Sequence, residues 1–202
     1  MSQYFENDEK VEHADLLYSF TLLGKGFTFH SDNGVFSKDG LDDGSRLLLE
    51  TIAKTDLGES ILDLGCGIGT MGILLAHFDS KRVVTMVDVN RRALGLAEEN
   101  AKRLNVASRV HILESDVYQN VTTSFDTIVT NPPIRAGKKV TYAMYAGANS
   151  HLNEDGRLIL VIRKQQGADS CQRYLETLFP VVEKVAQHKG FRILIAKKKG
   201  AL

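Results

Sequence analysis

The stretch Ile61-Leu62-Asp63-Leu64-Gly65-Cys66-Gly67-Ile68-Gly69, followed by Thr70-Met71-Gly72-Ile73-Leu74-Leu75, leaves this chain few folds to choose from. It reads as a short buried strand, a glycine-rich turn and the first turns of an apolar helix. Glycines at alternate positions allow positive φ and let the backbone approach a ligand closely. The N–H groups of the following helix face that ligand with the positive end of the helix dipole. Such a unit points to an α/β sheet that takes a nucleotide-like molecule at its strand tips.

The dinucleotide fingerprint is G-x-G-x-x-G, its last glycine lying where helix and strand pack. Here the glycines are Gly65, Gly67 and Gly69, Thr70 follows, and Asp63 precedes the first by two places. A carboxylate there is an awkward neighbour for a pyrophosphate. The D-x-G-x-G-x-G form resembles motif I of the class I S-adenosylmethionine-dependent methyltransferases. In that family the loop holds the methionine end of the cofactor, whose ammonium and carboxylate suit a carboxylate beside backbone N–H groups. The resemblance therefore nominates Asp63, Gly65, Cys66, Gly67 and Gly69 as cofactor-binding. A nicotinamide dinucleotide is the rival reading of the same loop.

The flanking sequence supplies the rest of such a sheet. Leu16–Leu23 and Phe27–His30 read as strands of a small N-terminal β arm, with Ser31-Asp32-Asn33-Gly34 as a turn. A helix is expected over Gly44–Lys54, capped by Asp42 or Asp43. After the glycine loop, strands are predicted at Arg82–Val87, Arg109–Leu113, Phe125–Thr130 and Arg157–Ile162. The intervening helices include one capped by Asn90, with Ala93, Leu94, Ala97, Ala101 and Leu104 on its apolar face. Further helices are expected over Lys138–Leu152, ahead of a turn at Asn153-Glu154-Asp155-Gly156, and over Ala168–Leu178. Val181–Gln187 and Phe191–Lys197 are separated only by His188-Lys189-Gly190, so this last pair of strands must be antiparallel. The expectation is a Rossmann-like, doubly wound, mostly parallel sheet ending in an antiparallel hairpin. One domain is expected over 1–202, with the arm in 1–43 and the cofactor-binding and catalytic core in 44–202.

Bulk properties narrow the setting. No apolar run approaches the roughly 18–20 residues of a membrane span, and the polar, acidic start lacks a signal-peptide pattern. Cys66 and Cys171 stand in unrelated contexts, and the six histidines are scattered without ligand spacing, so neither a disulfide framework nor a metal is expected. A cytoplasmic, reduced setting is the default expectation. Net charge is zero, yet residues 1–130 carry 12 Lys+Arg against 20 Asp+Glu and residues 131–202 carry 13 against 5. That asymmetry fits a nucleic-acid-facing side, or solvated charges that merely fell this way.

Ligands of an open α/β sheet bind beyond the carboxyl ends of its strands, where three acidic residues recur: Asp63, Asp88 and Asp116. Asp88 follows Gly69 by 19 residues, close to the roughly 20-residue offset at which a carboxylate accepts ribose hydroxyls. Val89 is its neighbour in the same site. The methyltransferase pattern places at Asp116 an acceptor for the adenine amino group, with Val117 offering backbone and apolar contact. Each aspartate taken singly also reads as a helix or turn cap.

Asn131-Pro132-Pro133-Ile134 at the end of the predicted fourth core strand bears on the reaction. An exocyclic amine on a flat ring is a poor nucleophile because its lone pair is delocalised. Accepting hydrogen bonds from both its hydrogens localises that pair and aims it. The Asn131 side-chain oxygen and the Pro132 carbonyl can supply both acceptors, and paired prolines hold an extended path without backbone donors. The Asn-Pro turn that commonly follows a strand is the plainer reading.

N-P-P followed by an apolar residue resembles the amino-methyltransferases that act on adenine N6, guanine N2 and glutamine amides. Ile134 replaces the aromatic residue usual in the adenine and glutamine members. Asn33-Gly34-Val35-Phe36-Ser37-Lys38-Asp39-Gly40-Leu41-Asp42-Asp43-Gly44-Ser45-Arg46-Leu47-Leu48-Leu49, the glycine loop and Asn131-Pro132-Pro133-Ile134-Arg135-Ala136-Gly137-Lys138 together resemble the catalytic domain of the ribosomal RNA small subunit methyltransferase C family. The resemblance runs from about Tyr18 onward. It implies N2-methylation of a guanosine in ribosomal RNA, with 16S RNA or the ribosomal subunit as partner and S-adenosylmethionine as cofactor. It further implies that Phe36 and Ser37 pack over the cofactor, that Asn131, Pro132 and Pro133 are catalytic, with Asn131 also touching the cofactor, and that Ile134, Arg135 and Lys138 meet substrate. Lys139, Arg163, Lys164 and the Lys197–Lys199 run are further candidates for phosphate contact. Family members carry an additional N-terminal domain for which these residues provide no counterpart. A glutamine or adenine acceptor, or a cofactor-binding assembly factor without turnover, are the alternatives.

Overall fold

The computed structural model describes residues 16–32, 41–53 and 55–199. Phe36 and Ser37 lie outside the described residues. Two strands, β1 (Leu16–Leu22) and β2 (Lys25–Ser31), form an antiparallel hairpin with its own sheet. The remaining seven strands form one sheet in the order β5-β4-β3-β6-β7-β9-β8. They are β3 (Ser60–Leu64), β4 (Val83–Asp88), β5 (Val110–Glu114), β6 (Phe125–Thr130), β7 (Leu152–Arg163), β8 (Val181–His188) and β9 (Phe191–Lys197). Pairing is parallel from β5 through β7, and β9 inserts antiparallel between β7 and β8. The architecture is Rossmann-like.

Helices cover both faces, and the apolar pattern of each assigns its side. The helices α1 (Asp43–Ile52), α2 (Thr70–Phe78) and α3 (Arg91–Arg103) share one core with the hairpin, built from Phe29, Leu48, Ile52, Ile73 and Ala97. Opposite them, α4 (Lys138–Ala148) and α5 (Ala168–Leu178) bury Met144, Tyr145, Cys171 and Leu175 against Leu158, Leu160 and Leu194. β3 and β6 are central and hidden on both faces, so Ile61, Leu62, Leu64, Ile128 and Val129 are all buried with no alternation of polar and apolar residues. Among the described residues no helix is long and apolar enough to cross a membrane.

The chain winds from β3 outward through β4 to β5, then returns to place β6 on the other side of β3. Connections leave the tips of β3 and β6 in opposite directions, and a crevice opens between them. The glycine loop and the Asn-Pro-Pro segment are those two connections.

Two expectations about local structure require correction. The helix predicted over Lys138–Leu152 stops at Ala148 and tightens into a 3-10 turn over Asn149–His151. There Ser150 Oγ donates to the Gly147 carbonyl at 3.2 Å, the local competition with helix that such side chains offer, and Asn149 Nδ2 ties the turn to the Leu178 carbonyl at 3.0 Å. The turn expected at Asn153-Glu154-Asp155-Gly156 is an irregularity inside β7. Leu152 pairs with Phe125 and Arg157 with Thr127, so the β7 side carries the extra residues. Gly156 is required there: a Cβ would sit 2.9 Å from the Asn153 carbonyl oxygen and 3.0 Å from that of Phe125.

Candidate active site at the β3–β6 crevice

The glycine loop is built by left-handed backbone. Gly65, Gly67 and Gly69 have φ of 77°, 56° and 83°. A Cβ on Gly67 would meet nothing within 4 Å, whereas one on Gly69 would press Ile73 at 2.9 Å and Ala97 at 3.0 Å. Gly67 thus keeps its outer side open to a ligand, while Gly69 is needed for packing α2 against α3. The Gly65 and Cys66 N–H groups both donate to the Val87 carbonyl at 2.9 Å, stitching the loop to the tip of β4.

Gly69 is the N-cap of α2 and has no side chain to satisfy the first-turn donors. Asp63, wholly buried on β3, does this from outside the helix: its Oδ2 accepts from the Gly72 N–H at 2.8 Å. Its Oδ1 is buried with no hydrogen-bond partner among the described residues. Burial pushes the carboxyl up to about 7; the Gly72 N–H opposes this, and the nearby Asp88 charge adds to it. A buried acceptor without a donor is costly unless something cationic or hydrogen-bonding completes it. The ammonium of S-adenosylmethionine is such a group, so the donor set fits that cofactor. Burial, with Asp63 and Asp88 nearby, pushes the Cys66 thiol well up, which leaves it a small apolar wall rather than a nucleophile. Gly72 is tight: a Cβ would lie 2.5 Å from Met86 Sδ, 2.7 Å from Met86 Cγ and 3.0 Å from Asp63 Oδ2. Gly72→Ala is expected to lower stability by about 1–3 kcal/mol through overpacking, read by thermal melting with and without cofactor.

Asp88 ends β4 and braces the loop, Oδ2 accepting from the Gly67 N–H at 2.8 Å and Oδ1 from that of Asn90 at 2.9 Å. Val89 beside it is half-buried. β5 ends at Glu114, so Asp116 lies two residues past the strand it was expected to end, and it is exposed. The Ser115 N–H donates to the Asp88 carbonyl at 3.0 Å, keeping that connection beside the β4 tip. Val117 takes a φ of 51°, held by Ser115 Oγ donating to its carbonyl at 3.0 Å.

At the other side of the crevice Thr130 Oγ1 donates to the Leu64 carbonyl at 2.8 Å, locking the β6 tip beside the start of the glycine loop. Asn131 follows. Its Nδ2 lies 3.0 Å from Ser45 Oγ and 3.3 and 3.4 Å from the two Asp42 carboxylate oxygens. A carboxylate only accepts, so the amide nitrogen faces Asp42 and the Asn131 oxygen faces away from it. Among the described residues no donor reaches Asn131 Oδ1 or the Pro132 carbonyl, whereas the Pro133 carbonyl is taken by the Ala136 N–H at 2.9 Å. Ile134 opens a 3-10 turn (Ile134–Ala136) and packs partly buried on the core around Met144 and Tyr145. Arg135 and Lys138 are exposed beyond it.

Some basic candidates sit at this edge and some do not. Among the described residues Arg135, Lys138, Lys139 and Lys164 are exposed and make no ion pair. The Arg163 guanidinium lies over the Phe191 ring, 4.9 Å from its centroid. The C-terminal lysines are elsewhere. Lys197 pairs in register with Arg157, which itself pairs with Thr127 near the start of β6, at the end of the sheet away from the crevice, and it bonds Glu183 at 2.9 Å. Lys199 bonds Glu154 at 2.8 Å, and Lys198 Nζ donates to the Leu152 carbonyl at 2.6 Å. The antiparallel course of β9 carries this run away from the crevice.

Sequence reading missed Ser45, the side-chain reach of Asp42, and Asn100. Asn100 is fully buried; its Oδ1 accepts from the His30 N–H at 2.7 Å and its Nδ2 donates to the His30 and Ile68 carbonyls at 3.0 and 3.2 Å. It ties the hairpin to the glycine loop. The available signal was a polar residue three places after Ala97, on the apolar stripe of α3.

Residues 26–195 match the methyltransferase small domain family. The chain belongs to that family. It is 44% identical over 197 residues to the uncharacterized protein YbxB of Bacillus subtilis, covering 96% of this chain and 98% of that one. The ribosomal RNA small subunit methyltransferase C of Erwinia tasmaniensis is 38% identical over 197 residues, covering 93% of this chain and 54% of its own length. Among solved structures, the Thermus thermophilus 16S rRNA N2 G1207 methyltransferase, in complex with S-adenosylmethionine and guanosine, superposes with a TM-score of 0.81 at 28% identity. That match covers 91% of this chain and 50% of the other. This chain spans about half the length of the methyltransferase C relatives it matches.

Proposed function

We propose that this protein is an S-adenosylmethionine-dependent methyltransferase that modifies the exocyclic N2 amine of a guanosine in ribosomal RNA of the small subunit. The observation that carries the reading is the orientation of Asn131. With Nδ2 held by Asp42 and Ser45, its oxygen and the Pro132 carbonyl form a pair of acceptors that no donor reaches among the described residues, beside the glycine loop. A primary amine offers two hydrogens to such a pair; a keto oxygen offers none.

Placement at the strand tips supports these roles. Asp63, Gly65, Cys66, Gly67, Gly69, Asp88, Val89, Asp116 and Val117 form the cofactor side, running along the tips of β3, β4 and β5. The family resemblance adds Phe36 and Ser37. Asn131, Pro132 and Pro133 hold the target amine, and Ile134, Arg135 and Lys138 meet the substrate. When bound, S-adenosylmethionine supplies an electrophilic methyl on a sulfonium that loses its charge as the methyl leaves. The chain's task is then orientation: aligned acceptors and a rigid proline path can contribute roughly 7–11 kcal/mol by holding a near-attack geometry. Residues 1–202 make one methyltransferase unit in this reading, the N-terminal arm included.

The partner is RNA. Arg135, Lys138, Lys139 and Lys164 are exposed beyond the tips of β6 and β7 and form no ion pair among the described residues, on an edge where phosphate contacts position a nucleic acid. Replacing Arg135, Lys138 and Lys139 with Glu is expected to raise the KM for RNA and to lower the slope of log affinity against log salt by roughly 2–3. Cofactor affinity stays unchanged, and filter binding at several salt concentrations reads the effect.

The function is tested by labelled-methyl transfer to ribosomal RNA and subunits from cells lacking this protein, followed by nucleoside mass spectrometry. Label in N2-methylguanosine is the expected result. Label only in N6-methyladenosine or in protein glutamine overturns the acceptor assignment, and no transfer to any of them overturns the enzymatic reading.

A further inference from the structure

We propose that Asp42 and Ser45 are positioning residues for the methyl transfer, acting by fixing which end of the Asn131 amide faces the substrate. The inference rests on the assignment of Asn131 above and adds to it residues on a different element.

Asp42 is the N-cap of α1. Its Oδ1 accepts from the Gly44 N–H at 2.9 Å and the Ser45 N–H at 3.0 Å, the two donors an N-cap ordinarily satisfies. The same oxygen also lies 3.3 Å from Asn131 Nδ2, the other carboxylate oxygen 3.4 Å, and Ser45 Oγ 3.0 Å. The cap therefore does more than start a helix. It sets a carboxylate in fixed geometry across the crevice from β6, against the amide of a residue 89 places later in the chain. Little room is left for rearrangement. Ser45 is 6% exposed, and a Cβ on Gly44 would sit 3.0 Å from Asp42 Oδ1 and 2.9 Å from the Phe191 ring. Tyr18 adds a wall: its hydroxyl is 2.8 Å from Thr70 Oγ1, and it lies close enough to Asp42 to feel that charge.

An unassisted asparagine amide can turn end for end, because oxygen and nitrogen have nearly the same size. Turned over, Asn131 would present two donors to an amine that is itself a donor. Asp42 prevents this, because a carboxylate tolerates only the nitrogen end; Ser45 Oγ, able to accept or donate, accepts from that nitrogen at 3.0 Å and anchors it in place. Specificity follows as well, since the fixed oxygen admits amines and rejects groups that can only accept.

Asp42→Asn separates the two jobs of the residue. Asparagine caps helices about as well as aspartate, so α1 persists. Its amide nitrogen, however, confronts that of Asn131 and turns it over. The expected result is a kcat for methyl transfer to undermodified ribosomal subunits lowered on the order of 10²-fold, with cofactor affinity and melting temperature as in wild type. In the reciprocal pair Asp42→Asn with Asn131→Asp, the carboxylate at 131 accepts from the new amide and keeps an oxygen for the substrate. The pair is expected to turn over about tenfold faster than either single variant, a coupling that double-mutant cycles isolate and that a merely structural cap would not produce. Wild-type kcat in Asp42→Asn, or a pair no faster than the singles, overturns the proposal. Should Asp42→Asn melt early, Ser45→Ala gives the same reading with the cap intact: kcat down about tenfold, as for loss of one hydrogen bond, or wild-type kcat, which refutes it. Asn131→Ala run alongside distinguishes the failures. If it is inactive while Asp42→Asn and Ser45→Ala are not, only the positioning role falls; if it is fully active, the role of Asn131 falls first.

Discussion

Asn131→Ala should reduce kcat by about 10²–10³-fold, the range seen when one preorganised hydrogen-bonding group is removed from a reacting centre. Cofactor affinity should stay within a few-fold, because Asn131 stands on the β6 side of the crevice and the glycine loop on the β3 side. Stability should change little: the Asn131 amide is bonded to Asp42 and Ser45, whose cap on α1 persists without it through the Gly44 and Ser45 N–H groups. Single-turnover transfer with saturating cofactor separates the chemical step from RNA binding, and the loss should appear there rather than in KM. A variant that loses affinity for RNA but transfers methyl at the wild-type rate once bound would place Asn131 in recognition instead.

The second large effect concerns Asp63. An unfolded aspartate titrates near 3.9, whereas burial holds this one at about 7 in the folded chain. Between those values the folded protein carries the extra proton, so stability falls as pH rises from about 4 to about 7 and levels off above. A displacement of that size corresponds to about 4 kcal/mol. Asp63→Asn removes the titration, so in the cofactor-free state its stability relative to wild type should grow by about that amount between pH 4 and pH 8. Denaturant melts across that range measure it. Cofactor binding reverses the preference, because an ammonium beside the carboxylate favours its ionised form. Binding below pH 7 should therefore expel a proton, and affinity should climb towards pH 7 by up to tenfold per pH unit. Calorimetry in two buffers of different ionisation enthalpy reads the proton directly. In Asp63→Asn the proton release should vanish and affinity should fall by about 10²-fold, the scale of losing one member of a buried charge pair. Unchanged proton release in the variant would move the coupling to another group.

Much of this was legible in the residues because local and global signals agree. Phe125–Thr130, Ala168–Leu178 and Phe191–Lys197 form the elements expected of them, since apolar period, cap and breaker coincide at each. The three-residue link His188-Lys189-Gly190 required an antiparallel pair, and β8 and β9 pair that way. Where reading failed, a partner distant in sequence decided the outcome. Asn153–Gly156 has every mark of a turn, yet Asn153 Nδ2 donates to Asp126 at 2.7 Å and the segment stays in β7. The Lys197–Lys199 run could be weighed as a phosphate site only until the course of β9 set it at the wrong end of the sheet. In the site, the spacing of Asp63, Asp88 and Asn131 located the strand tips. That Asp63 caps α2, that Asp88 braces Gly67 and that Asp42 faces the Asn131 amide nitrogen are facts of three dimensions, linking residues 9, 21 and 89 positions apart.

A crystal structure with S-adenosylhomocysteine and guanosine bears on the central claim most directly. It should show the guanine amine within about 3 Å of both Asn131 Oδ1 and the Pro132 carbonyl, the hydrogen-bond range, with the Asn131 nitrogen still on Asp42. A guanine bound away from the tip of β6, or an Asn131 whose nitrogen faces the base, would contradict it.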